Sequence, residues 1–315
     1  MVAASRAKSS DRAAILKKLL PAIKKQYKVV VPKHDRPVLE TMLYAICLED
    51  VSVDEAELAF ERLGKEFPDL NEIRVSSISE IERAFHGLPR AEWRAFHVRS
   101  VLQYVFEKSF AFEFESLRKK TLELAQKQLA KIKHLSNFVR NYTLQSVIGA
   151  HQIPIDESMA RTLIWLGLVP PNQDGEQMGE TMKAVVRKTE VPLFCFSVRC
   201  LATDKVVHEF FDPKKYPPPP EGHDGAPVTE RLAELYKAAT SKSKAKPGAV
   251  AKGSAATKVE PPKPPAKPAV KSPAKAASTP AAKPAATKPA TPAAAKKKPP
   301  EKAAVPAKKV VKKAR

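Results

Sequence analysis

Apolar residues recur three and four positions apart from about residue 11 to 212, and alternating β-branched runs are few, so this body reads as helix after helix. Ile15, Leu16, Leu19, Leu20 and Ile23 share one face of a first helix, in which Pro21 is a point for a kink. "RPVLETMLYAICLE" predicts a second helix with Pro37 near its start, where a missing N–H costs little, and with Val38, Leu39, Met42, Leu43 and Ile46 turned inward. Ser52 with Glu55, and Ser77 with Glu80, spell capping boxes ahead of the next two helices. A helix through Val98, Val101, Leu102, Val105 and Phe106 follows. After it come "TLELAQKQLAKI", a turn "KHLSN", "FVRNYTLQSVI", a helix from Glu157, and a last pair between about Gln177 and Leu201. The one strand candidate is the short "YKVVVP". An all-α fold is expected, a two-lobed helical bundle with a disordered basic tail.

Charge divides the chain unevenly. Residues 241–315 hold 20 Lys and Arg against two acids, so this stretch carries +18 of the net +21 and the body is close to neutral. Lysine, alanine and proline without one aromatic residue cannot bury enough apolar surface to repay ordering, so 241–315 is expected to be disordered. A helical stretch, "VTERLAELYKAA", lies between body and tail. The expected organisation is a body at 11–212, a linker with a short helix at 213–240, and the tail at 241–315. The tail's dispersed lysines resemble those of linker histones, and a polyanion is the natural partner of such a polycation.

Three cysteines, Cys47, Cys195 and Cys200, offer one C-x4-C pair and no C-x2-C spacing. This argues against a disulfide framework, a structural metal or an iron–sulfur site, and no cofactor is expected. The N-terminus lacks the apolar stretch of a signal peptide and no apolar run is long enough to span a bilayer, so no membrane partner is expected.

Three segments, in this order, resemble one family. "MLYAICLEDVSVDEA" is similar to the early helix and capped turn of endonuclease III, "FHGLP" to its Gly-Leu-Tyr turn, and "VIGAHQIPIDESMARTLIWLGL" to its Val-Asp-Thr-His segment. The resemblance covers about residues 11 to 205 and implies the helix-hairpin-helix DNA glycosylases, which flip a damaged base and cut its N-glycosidic bond. It implies that Asp156 stands where the family's aspartate stabilises positive charge on the sugar. Read from the residues alone, Asp156 ahead of Glu-Ser-Met-Ala is an ordinary helix cap, and one residue is able to do both.

In the same register the family's hairpin Leu-Pro-Gly-Val-Gly-Arg-Lys falls on Ile132, Lys133, His134, Leu135, Ser136, Asn137 and Phe138. Both glycines and the nucleophilic lysine are absent, so no amine stands ready for a Schiff base and no lyase step is expected. Phe138 is expected in the core beside Tyr142. The family's base-pair-probing glutamine falls on Cys47 and a histidine on Ser158. Lys131, Lys133, His134, Ser136, Asn137 and Arg140 remain as candidate phosphate contacts, and Leu88, on the "GLP" turn, as the apolar tip that fills the gap of a flipped base.

The expected protein is therefore an intracellular, DNA-associated monomer that binds double-stranded DNA, whether in a bacterial cytoplasm or a nucleus. Its expected activity is at most that of a monofunctional N-glycosylase using Asp156 and water. A non-catalytic architectural or damage-sensing protein is the alternative, and a lyase with a displaced lysine is a third reading.

Overall fold

The computed structural model describes residues 9–31, 35–213, 215 and 228–244. Twelve α-helices, joined by short 3₁₀ turns, make up their regular structure, and there is no strand among them. They build two hydrophobic cores. The chain begins in the second lobe with α1 (Ser9–Tyr27), crosses to build the first, and then returns.

The first lobe holds α2 (Val38–Leu48), α3 (Val53–Glu66), α4 (Leu70–Val75), α5 (Ile78–Glu82), α6 (Ala91–Ser109), α7 (Leu122–Leu129) and α8 (Asn137–Ile148). At its centre is α2, in which ten of eleven residues are buried. A helix enclosed on all sides cannot leave its last carbonyls to water, so acceptors at its C-terminus must be met from within the protein. Both expected capping boxes are formed, Ser52 with Glu55 opening α3 and Ser77 with Glu80 opening α5.

α9 (Glu157–Trp165), α10 (Gly175–Lys183), α11 (Val191–Ala202) and α12 (Val228–Lys244) complete the second lobe around α1. Pro21 lies inside α1, and Leu16, Leu19 and Ile23 are buried along its inner face. The stretch read as a strand candidate, 27–32, forms no strand among its described residues. Tyr27 closes α1, Lys28 takes φ 49°, and the Val29 amide bonds back to the Lys24 carbonyl, a helix ending that outweighs the β-branched residues after it.

The segment expected as a linker supplies α12, which lies against the second core through Leu232 and Leu235. Arg231 bonds the Trp165 carbonyl at 2.8 Å, and the Tyr236 hydroxyl meets that of Tyr27, which also donates to Asp204 at 2.6 Å. Helix α12 runs to Lys244, four residues into the expected tail, and 245–315 lie outside the described residues. No helix among the described residues is long and apolar enough to cross a membrane.

Candidate functional site: the α2 terminus, Asp156 and the hairpin

Two buried arginines meet the carbonyls at the end of α2. Arg94, from α6, donates to Ile46, Cys47 and Glu49 in that turn and, through Nε, to Pro89 at 3.0 Å. From α11, Arg199 donates to the carbonyls of Leu48 at 2.7 Å and Val51 at 3.1 Å. Each guanidinium puts positive charge at the negative end of a helix dipole in a dry setting, where the attraction is strong.

Asp156 completes this junction. Its backbone comes in along 152–155, a segment without regular structure, over which α10 passes so closely that a Cβ on Gly179 would meet the Ile153 carbonyl at 3.0 Å. Asp156 caps α9: Oδ1 accepts the Met159 amide at 2.9 Å and the Ser158 hydroxyl at 2.8 Å. Oδ2 accepts the Asp50 amide at 3.0 Å and pairs with Arg199 at 2.7 Å. Both oxygens are filled and the side chain is 0% exposed. Burial works to raise this carboxyl, but Arg199 and the three hydrogen bonds outweigh it and hold it below the usual carboxylate range.

Because Arg199 also grips the α2 turn, and Asp50 both donates to Asp156 and accepts the Ser158 amide at 2.9 Å, this cluster ties the two lobes together. Arg90 pairs with the Asp50 carboxylate from outside. Asp50, Arg90 and His134 all have positive φ (59°, 55° and 63°), so three non-glycine residues in left-handed backbone gather about this face of the first lobe.

The hairpin joins α7 to α8 through 130–136. His134 adopts the left-handed conformation at φ 63°, at the cost of about 1 kcal/mol of backbone strain. Lys131, Lys133 and His134 are exposed, while Ser136, Asn137 and Arg140 are half-buried. Ser136 caps α8 through the Val139 amide and donates its hydroxyl to Glu49 at 3.0 Å. Arg140 is held by the Asn137 side chain, and the amides of Lys133, His134 and Asn137 have no acceptor among the described residues. The hairpin thus presents two lysines to solvent beside backbone amides that no protein acceptor meets.

Leu88 lies on a turn whose flanking residues, His86, Gly87, Pro89 and Arg90, are exposed. It is half-buried against the first core, because the Gly87 turn, at φ 85°, folds it inward and its amide bonds the Phe85 carbonyl. Phe138 is buried beside Tyr142, their rings 5.9 Å apart, with the Arg199 guanidinium 4.9 Å over its ring. Cys47 is buried in the first core, and Cys195 and Cys200 lie half-buried on α11. Between the lobes is a cavity of about 450 Å³, lined by residues that include Tyr44, Phe138, Tyr142, Phe196 and Arg199. Asp156 is not among them.

Glu49, Asp50, Arg94 and Arg199 were not singled out from sequence. The signal for Arg199 was a lone cation in the apolar run "VPLFCFSVRCLA", since a charge on a buried face needs a partner. Burial first, and then the nearby Asp50 and Asp156 charges, push the Glu49 carboxyl up to about 7 from 4.5. The folded protein then keeps a proton that the unfolded chain releases, so stability falls as pH rises from about 4.5 to about 7. Glu49→Gln, which keeps an acceptor for Ser136, is expected to remove this dependence and to exceed the wild type at pH 8 by on the order of 3 kcal/mol. Denaturation of both proteins at pH 5 and pH 8 checks it: equal differences at the two pH values count against it.

No family model and no curated protein matches the chain. Among solved structures, it is similar to endonuclease III trapped as a covalent intermediate with DNA, at 12% identity and TM-score 0.46, over 60% of this chain and 85% of that one. It is similar also to a thermostable thymine-DNA glycosylase, at 11% and TM-score 0.44, over 71% and 98% of the two chains. A third is the Clostridium acetobutylicum 8-oxoguanine glycosylase/lyase with double-stranded DNA, at 11% and TM-score 0.43, over 66% and 71%. The likeness is one of helical layout and, at these values, carries no argument about activity, which must rest on the chain's own residues.

Proposed function

We propose that this chain is a double-stranded DNA-binding protein of glycosylase-like design that recognises DNA without releasing a base. The organisation we propose is a binding body that includes α12, followed by a basic tail that holds the protein on DNA, the whole acting as a monomer. The observation that carries the non-catalytic half is the full occupation of Asp156. A carboxylate able to steady a cationic sugar must face it with an oxygen to spare, and here both oxygens are filled and the charge is neutralised by Arg199. The binding half is supported by the exposed lysines of the hairpin and its amides without a protein acceptor, which suit a phosphate.

Replacing Lys131 and Lys133 with alanine is expected to weaken binding to any duplex sequence about equally and to lower the salt slope by roughly 2, because each lost phosphate contact spares about one counterion. Fluorescence anisotropy across a salt series measures this, and an unchanged slope would take the hairpin out of the interface.

The second reading is a monofunctional glycosylase in which Asp156 assists water. Its supporting observations are an ionised Asp156 and an aromatic-lined cavity large enough for a base. It requires Asp156 to exchange Arg199 for substrate. Phe138 in place of an amine leaves both readings without a lyase step.

A further inference from the structure

A continuous line of rings joins the Gly87–Arg90 turn to the hairpin. The Arg90 guanidinium lies 5.3 Å over Trp93, Trp93 packs on His97 with ring centres 3.4 Å apart, His97 is 5.9 Å from Phe96, and Phe96 meets His134 edge-on at 5.1 Å. Its members differ in exposure. His97 is buried and forms the floor, Trp93 is half-buried, and Phe96 (39% exposed) and His134 stand at the surface. An exposed phenylalanine on α6 is unexplained by the core, since Val98, Val101 and Leu102 already turn the other face of that helix inward. Through His134 it joins the hairpin, whose Lys131 and Lys133 are exposed.

An exposed aromatic ring beside the lysines of the hairpin fits one kind of partner. Bases within an intact duplex hide their faces in the stack, whereas a base at a gap or break exposes one. Aromatic side chains take such a face whatever the base, because every base has one. Leu88, the apolar residue on the neighbouring turn, is half-buried against the core and leaves this surface to Phe96.

We infer that Phe96, with His134 at its edge, stacks on an unpaired base next to the phosphate held by the hairpin, so that the protein prefers gapped or broken DNA to intact duplex. This rests on the proposed DNA binding and adds its target. His134 serves twice: its backbone forms the left-handed turn of the hairpin, and its ring braces Phe96 edge-on.

The test compares affinities of the full chain for a short labelled duplex, the same duplex with a one-nucleotide gap, and the single strand. The expected result is about tenfold tighter binding to the gapped duplex, within the range for one base stacked on one ring. Phe96→Ala should abolish that preference while retaining affinity for intact duplex, and Phe96→Trp should restore it. Lys133→Ala should weaken gapped and intact duplex equally. Binding with no preference for the gap, or a preference that survives Phe96→Ala, overturns the inference while leaving DNA binding in place. Failure to bind any of the three DNAs overturns the DNA-binding reading, and the inference with it.

Discussion

Asp156→Ala is expected to lower the unfolding free energy by about 3–5 kcal/mol, because it leaves the Arg199 guanidinium buried without its charge partner. Three further contacts go with it: the α9 cap to Met159, the Ser158 hydroxyl bond and the Asp50 amide bond that reaches across the lobes. Domains of this size are commonly stable by only about 5–15 kcal/mol, so the loss is a large share of the total. Asp156→Asn keeps one acceptor but sets an amide donor among the donors of Arg199 and Asp50, and is expected to fall between alanine and wild type. Urea denaturation of Asp156→Ala, Arg199→Met and the double variant separates the pair from its surroundings. The double variant should lose clearly less than the two single losses added together, since the second removal takes away an already unpaired group. Losses that simply add would show that the two side chains stabilise the fold independently.

The second large effect belongs to the tail. Residues 245–315 carry 18 Lys and Arg against two acids. Eighteen cations against two acids are enough to neutralise several phosphates beyond those the body meets. Contacts to about six to ten phosphates would cost roughly 10³- to 10⁵-fold in affinity between 50 and 200 mM salt. A chain ending at Lys244, which preserves α12, is therefore expected to bind undamaged duplex far more weakly at low salt and to show a much flatter salt dependence. Any preference for a gap or a damaged base should survive, because phosphate contacts carry no such discrimination. Equal affinity and slope in the two chains would assign the tail a partner other than DNA.

The helices were legible in the sequence because their signals are local. Capping boxes at Ser52 and Ser77, and apolar spacing along α1, α2 and α6, each act within one or two turns. The exception was 27–32, where β-branched residues follow a helix whose ending depends on Lys28 taking a left-handed turn. The hairpin was placed correctly in sequence, yet its geometry was not legible, because histidine is a poor advertisement for positive φ. Asp156 was legible as a cap. What it faces was not: Asp50, Ser158 and Arg199 come from three parts of the chain, and only their packing shows that both oxygens are taken. Arg94 and Glu49 were missed for the same reason, since a buried charge is defined by partners up to 87 positions away. Leu88 was legible as a turn residue, whereas its partial packing against the first core depends on residues distant in the chain.

Whether Asp156 is a lock or a reagent is settled most directly by incubating the full wild-type chain, under conditions where it binds DNA, with duplexes carrying a panel of damaged bases. Abasic sites and strand breaks are scored separately. The expected result is binding with neither product from any substrate, at enzyme in excess and long times. Release of a base, lost in Asp156→Asn protein shown by denaturation to remain folded, would contradict the structural role given to this carboxylate and establish the glycosylase reading in its place.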